Sequence, residues 1–398
     1  MPYDSTASLP YHEPSIETLL ILSSFIILLN AINWIVDKWL FCGLVGQILI
    51  GVAWGAPGGQ LLASDTEKAI VELGYIGLIL LVFEGGLSAN MSSLRANIFL
   101  STCVALTGVA VPIALSFILM PLTGATHFQC FAAGAALCST SLGTIFTLLH
   151  ACGLGTTRLG VVLTSAAMLD DVAGLIMVQI ISNLGTTTSE FSAVTVIRPV
   201  FVSIAFGTSA VVICRFVLVP VHELLLRSDS WVCTIAEHQK LPLVSYITLL
   251  VGAVTASSYA GTSNLFAAYI AGAVISWWTT LDSSPIRPLS PLYGVQHETG
   301  RPDTTTEGGQ VDIHLHNQPA QDISRSDVPV PVPQTTSVFE HYFQPALVWV
   351  LQPFFFASVG FSIPITALFT ARIVWKGIIY TILMMLGKIA KLEAIKRP

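Results

Sequence analysis

Asp170 and Asp171 stand side by side near the middle of an apolar run from Thr157 to Asn183. A carboxylate at that depth in a bilayer costs about 2.5–3.5 kcal/mol on insertion scales, so it belongs where it faces a watery cavity or a partner. Two neighbouring carboxylates also oppose each other's ionisation, so that one of them readily holds a proton. Such a pair can exchange a proton for a cation. The competing reading puts the aspartates at a surface, capping a helix end.

Adjacent residues on a helix point about 100° apart. Asp170 and Asp171 therefore cannot reach the same spot, and one faces a cavity while the other meets a neighbouring helix. Just upstream lies Cys138-Ser139-Thr140-Ser141-Leu142-Gly143-Thr144. Hydroxyls and a glycine inside an apolar span weaken the helix, and unwound backbone at membrane depth is tolerated where it lines a cavity. Ser139 and Thr140 could then offer oxygen ligands to a small hard cation beside Asp171. The alternative is that these hydroxyls bond back to their own helical turn.

Three further residues are candidates. Lys388, in the last apolar run, is placed to neutralise a buried carboxylate; alternatively it belongs with Lys391, Lys396 and Arg397 to a snorkelling basic tail. Glu84, in Phe83-Glu84-Gly85-Gly86-Leu87-Ser88, is either a cavity carboxylate or a helix-end surface residue. Asn264, after Gly261-Thr262-Ser263, is a polar ligand candidate with the same ambiguity.

The elements that must position these groups are membrane spans. Of the 398 residues, 53% are hydrophobic and 10% charged, against about 25% charged in a soluble domain, and the mean hydropathy is +0.75. The chain reads as an all-α polytopic membrane protein with about eleven transmembrane helices, near 16–36, 40–56, 68–88, 95–120, 127–149, 157–183, 196–221, 241–259, 262–279, 339–361 and 371–390. Residues 1–15 form a polar, acidic N-terminus with no basic signal region. The net charge of −6 and the absence of a basic block argue against a nucleic-acid partner. The seven cysteines are scattered without a CxxC spacing, so neither a zinc site nor a disulfide framework is expected.

Lysine and arginine in the loops set the orientation. With the N-terminus outside, Lys38, Arg95, Arg158, Arg227, Lys240, Arg287, Arg301 and Arg325 face the cytoplasm, and Lys68, Arg198, Arg372 and Lys376 do not. Residues 280–337, rich in Pro, Thr, Asp, Gln and Gly, read as a disordered cytoplasmic linker between a first membrane part, 16–279, and a second, 338–398. The His314-x-His316 pair in that linker has too few ligands for a metal site.

Gly86-Leu87-Ser88 followed by Leu94 recurs 274 positions later as Gly360-Phe361-Ser362 followed by Leu368. Repeated halves around a midplane site are a common plan of secondary transporters. At that offset the counterparts of spans 127–149 and 157–183 would begin near residue 401, so the second repeat is expected to be incomplete.

The stretches Val82–Leu87, Ser139–Thr144, Ser165–Asp171 and Phe354–Gly360 together resemble the cation/proton antiporter superfamily, most closely its monovalent cation:proton antiporter-2 branch with a sodium/hydrogen exchanger domain. The resemblance implies an inverted-repeat fold with a broken crossover helix, in which a six-helix core moves against a scaffold. It implies that Asp171 binds cation and proton, that Asp170 pairs with Lys388, and that Ser139 and Thr140 lie in the unwound crossover. It further implies Na⁺ or K⁺ and H⁺ as transported ions, electrogenic exchange, the bilayer as surroundings and a homodimer, with no cofactor and no enzymatic activity. Two spans that follow the lysine helix in the family are missing, so the chain reads as C-terminally truncated. The alternatives are a K⁺-efflux system, a channel or sodium symporter on a similar fold, and an inactive form that modulates a partner. An intramembrane aspartyl protease is disfavoured, because its Gly-x-Gly-Asp context is absent.

Overall fold

The computed structural model describes residues 13–40, 42–89, 97–138, 157–186, 193–220, 241–282 and 339–396. The described residues are helical or lie in turns between helices. The helices are α1 (Ile16–Leu40), α2 (Gly43–Trp54), α3 (Ser64–Leu87), α4 (Ile98–Ser116, followed by one more turn, Leu119–Thr123), α5 (His127–Cys138), α6 (Arg158–Thr186), α7 (Ala193–Ile213, continuing into a π-type turn at Cys214–Leu218), α8 (Leu241–Ala260), α9 (Asn264–Asp282), α10 (Gln344–Phe361, with a π-type turn at Leu347–Leu351) and α11 (Ala371–Lys396). Seven of them are long and apolar enough to cross a membrane, and the apolar stretches Gly43–Trp54 and Asn264–Trp278 are shorter. The protein is an integral, multi-pass membrane protein. Part of the expected span 127–149 and nearly all of the 280–337 linker lie outside the described residues.

Local signals set the helix ends. Glu17 in the first turn of α1 and Lys38 in its last complement the helix dipole, and Lys38 also sits 5.4 Å from the ring centre of Trp34. Before α5, the Thr126 hydroxyl accepts from the Gln129 amide at 3.3 Å, and Gln129 Oε1 accepts from the Thr126 amide at 3.1 Å, a reciprocal capping box. Thr157 Oγ1 accepts from the Gly160 amide and so opens α6.

Packing divides the helices into two groups. In the first, α2 lies against α1 and α10, α3 against α9 and α10, and α8 against α9. In the second, α4 is central and carries α5, α6 and α11 on its sides. The groups meet where α6 touches α9, and α7 packs on both of these helices. Phe83, Leu87, Tyr246, Phe339 and Leu347 fill one core of the first group, and Phe25, Leu29, Ile70 and Phe354 fill another. The second group centres on Leu119, Cys130 and Leu383, with the Tyr380 hydroxyl of α11 donating to the Ala133 carbonyl of α5 at 3.0 Å. The outer helices α1, α7 and α8 leave most of their apolar surface uncovered, as lipid-facing helices do.

The sequence repeat has a geometric counterpart. Gly86-Leu87 ends α3 and Gly360-Phe361 ends α10, with Ser88 and Ser362 as their respective C-caps. At each end the glycine lets two backbones touch: Gly86 meets Tyr269 and Gly272 meets Phe83 across α3 and α9, while Gly360 meets Ile48 and Gly51 meets Ala357 across α10 and α2. A side chain at any of these four glycines would collide with a main-chain carbonyl. Close approach of this kind gives van der Waals packing its weight in lipid.

The repeat is inverted. Gly77 of α3 abuts Leu351 of α10, which is 274 positions further on, and Gly74 abuts Phe355, so the two helices run antiparallel through equivalent residues. Gly387 of α11 abuts Pro112 and Leu115 of α4, on either side of Ile113, its own equivalent at that offset. A pseudo-two-fold axis therefore passes through both crossings. This is the inverted-repeat architecture expected from the sequence.

Candidate functional site

Helix α6 carries the aspartates to the boundary between the two groups. Met168, Val172 and Leu175 of α6 pack with Val82 and Ala89 of the α3 end and with Tyr269 and Ile270 of α9. On a helix turning about 100° per residue, these α6 positions mark one face. Farther up the helix, the Ser101 hydroxyl of α4 donates to the Val162 carbonyl at 3.5 Å, which marks another.

Asp170 follows Met168 by two residues, about 200° round the helix, and therefore lies on the side away from α3 and α9. Its exposure is 0%. Asp171 is partly buried and lies about 60° from the Met168 direction. Tyr269 of α9, which packs with Met168 on that side of α6, is only 6% exposed. The two carboxylates thus address different neighbours, as helical spacing requires. Ser165, one and a half turns earlier, is 0% exposed, and its hydroxyl has no hydrogen-bond partner among the described residues.

The other candidates divide. Ser139 and Thr140 lie outside the described residues; their described neighbour Cys138 is fully buried at the end of α5, which packs on α6. The backbone of Lys388 belongs to α11, next to Gly387 and its contact with α4, and its side chain lies outside what is described. Glu84 is set apart from the aspartates. Val82 and Ala89 mark the α6-facing side of α3, and Glu84 lies about 200° from Val82.

Asn264 opens α9 and its Oδ1 accepts from the hydroxyls of Ser257 at 2.9 Å and Ser258 at 3.0 Å. These bonds, with Ser203 to Thr262 at 3.1 Å, fasten the α8–α9 turn and bring α7 to it. The structure places Asn264 at the first position of α9, bonded to the end of α8.

Tyr269 and Ser165 did not emerge from the sequence as site residues. An isolated tyrosine in an apolar span carries no spacing signal, and its place beside Asp171 arises from packing between segments about a hundred residues apart. Among the described residues, no group of three or more metal-ligating side chains is assembled.

An all-helical membrane fold with an inverted repeat and a carboxylate pair at an interhelical boundary defines a secondary-transporter architecture. The family described as sodium/hydrogen exchanger, transmembrane, matches residues 21–290. The chain belongs to that family. It is 30% identical over 174 residues to the high-affinity Na⁺/H⁺ antiporter NhaS3 of Synechocystis, a match covering 43% of this chain and 38% of that protein. It is 30% identical over 165 residues to the probable Na⁺/H⁺ antiporter GerT of Bacillus cereus, covering 41% and 44%. It is 27% identical over 159 residues to the Na⁺/H⁺-K⁺ antiporter GerN of the same organism, covering 40% and 41%. The chain thus spans less than half the length of the curated relatives it matches. Its fold is similar to that of the sodium proton antiporter MjNhaP1 from Methanocaldococcus jannaschii, with a TM-score of 0.60, 15% identity, and coverage of 95% of this chain and 81% of that one.

Proposed function

We propose that the chain exchanges a monovalent cation, Na⁺ or K⁺, for protons by alternating access, and so serves pH and cation homeostasis. The observation that carries this reading is the position of Asp171. It sits on the helix where the two packing groups meet, about one turn from Met168, which packs with Tyr269 of the opposite group. A carboxylate at such a boundary can be exposed to one side or the other by relative movement of the two bodies. The named relatives, which are antiporters and not enzymes, support the same reading.

In the proposed cycle Asp171 releases its proton and takes the cation, with Ser139, Thr140 and the nearby backbone supplying further oxygens. Asp170, on the far side of α6, balances the charge of Lys388 when the site is empty. Exchange is electrogenic, and the working unit is a homodimer. Potassium is the second reading for the cargo, favoured by the similarity to GerN, a Na⁺/H⁺-K⁺ antiporter.

The test uses proteoliposomes holding the full 398-residue chain with a pH dye inside. Na⁺ or K⁺ should drive proton movement that Asp171→Asn removes, while Asp170→Asn transports with altered voltage dependence. Equal, full activity of both variants would refute the mechanism.

A further inference from the structure

Outside the aspartate region, a cavity of about 320 Å³ lies between the end of the α4 extension and the start of α11, lined by Leu122, Thr123, Gly124, Arg372, Trp375 and Lys376. Arg372, Trp375 and Lys376 are spaced i, i+3 and i+4, so they share one face of α11. Arg372 is exposed and Lys376 partly buried, and neither has a hydrogen bond or an ion pair among the described residues. Thr123 Oγ1 already donates to the Leu119 carbonyl and the Gly124 amide to Met120. The side-chain donors left to a ligand are the guanidinium, the ammonium and the Trp375 indole N–H; with two of the three cationic and no acceptor among them, the ligand they suit is an anion.

The depth of the cavity says which anion. The α4 segment Ile98–Thr123 has 26 residues, about 39 Å at 1.5 Å per residue, against a hydrocarbon core of about 30 Å. Its end at Thr123–Gly124 thus reaches headgroup level. Trp375 is 62% exposed, in the manner of the aromatic residues that line membrane interfaces.

The charge count points the same way. Lys68, another basic residue on the lysine-poor side, is bonded to Asp65 at 3.2 Å, whereas Arg372 and Lys376 converge on one cavity. We infer that Arg372 and Lys376 hold the phosphate of an anionic phospholipid headgroup, with Trp375 lying along its glycerol and upper acyl region, and that this lipid anchors the N-terminal end of α11 at the interface.

The test is lipid binding to the purified full chain in detergent, read by native mass spectrometry during titration with phosphatidylglycerol or phosphatidylcholine. The wild type should prefer phosphatidylglycerol. Arg372→Gln/Lys376→Gln should weaken phosphatidylglycerol binding by roughly fivefold per charge, about 25-fold for the pair, and leave phosphatidylcholine unchanged. Arg372→Lys/Lys376→Arg, which keeps both charges, and Arg198→Gln on α7 should bind as the wild type does, separating loss of charge from loss of fold. An unchanged affinity in the charge-removing variant, or a wild type without headgroup preference, would overturn the inference. Displacement of the lipid by millimolar inorganic phosphate would overturn it too, by assigning the cavity to a soluble anion.

Discussion

Replacing Asp170 tests whether its burial is matched by Lys388. Asp170 is completely enclosed, so its charge belongs to the low-dielectric regime and not to the surface one. Breaking a buried ion pair from either side costs about 3–5 kcal/mol, because the remaining charge is stranded, whereas removing both members is often neutral or stabilising. Asp170→Asn and Lys388→Met should therefore each destabilise the protein by about 3–5 kcal/mol. The double variant should return close to the wild type, giving a coupling of about 6 kcal/mol or more in a double-mutant cycle. The measurement is reversible unfolding of the four proteins in mixed micelles at constant pH. If Lys388 instead belongs to a snorkelling tail, Lys388→Met should cost no more than about 0.5 kcal/mol, as at an ordinary surface position. Asp170→Asn would then have an effect on stability that Lys388→Met does not alter. Additive single-variant losses, or a stabilising Asp170→Asn, would refute the pairing.

Two further outcomes follow from named contacts. Tyr269→Phe removes one hydroxyl beside Asp171 and should keep the fold. It should also weaken the apparent cation affinity in the proteoliposome assay by roughly two- to tenfold, the worth of one hydrogen-bonding group; unchanged affinity would remove Tyr269 from the site. Gly272→Val drives a side chain into the Phe83 carbonyl and should cost 1–3 kcal/mol or more in the same micelle unfolding assay, whereas Gly252→Ala, which meets nothing within 4 Å among the described residues, should be close to neutral.

Much of the fold was legible because the membrane makes hydropathy a strong signal. Apolar runs translate into helices such as α1, α3 and α6 with boundaries displaced by a few residues. The repeat was legible only faintly, through a glycine and a serine at two helix ends, yet those residues are the C-cap and the close-approach point that the inverted geometry requires. Asp170 and Asp171 were conspicuous because charge at midspan is costly. Glu84 looked equally suggestive, but which face of α3 it occupies depends on where α6 and α9 pack, and a single sequence does not contain that. Asn264 is ambiguous in sequence between a polar ligand and a helix-end residue, and the serines that engage it lie six and seven residues earlier, at the end of α8.

The two kinds of interhelical contact explain why movement at the aspartates is mechanically reasonable. Within the first group, α3 meets α9 and α2 meets α10 through glycines pressed against carbonyls. Sliding either pair by a fraction of a turn would drive backbone into backbone, and packed surfaces of that kind are bistable at best. The seam between α6 and the α3/α9 pair is different. It consists of a small apolar cluster of side chains, Met168, Val172 and Leu175 against Val82, Ala89, Tyr269 and Ile270. Side chains of that type exchange one apolar neighbour for another at little cost, since lipid tails and aliphatic side chains are nearly equivalent surroundings. The fold therefore concentrates rigidity inside the repeat-related pairs and leaves an apolar side-chain seam along the helix that carries Asp171, the carboxylate whose exposure the proposed alternating-access cycle has to change.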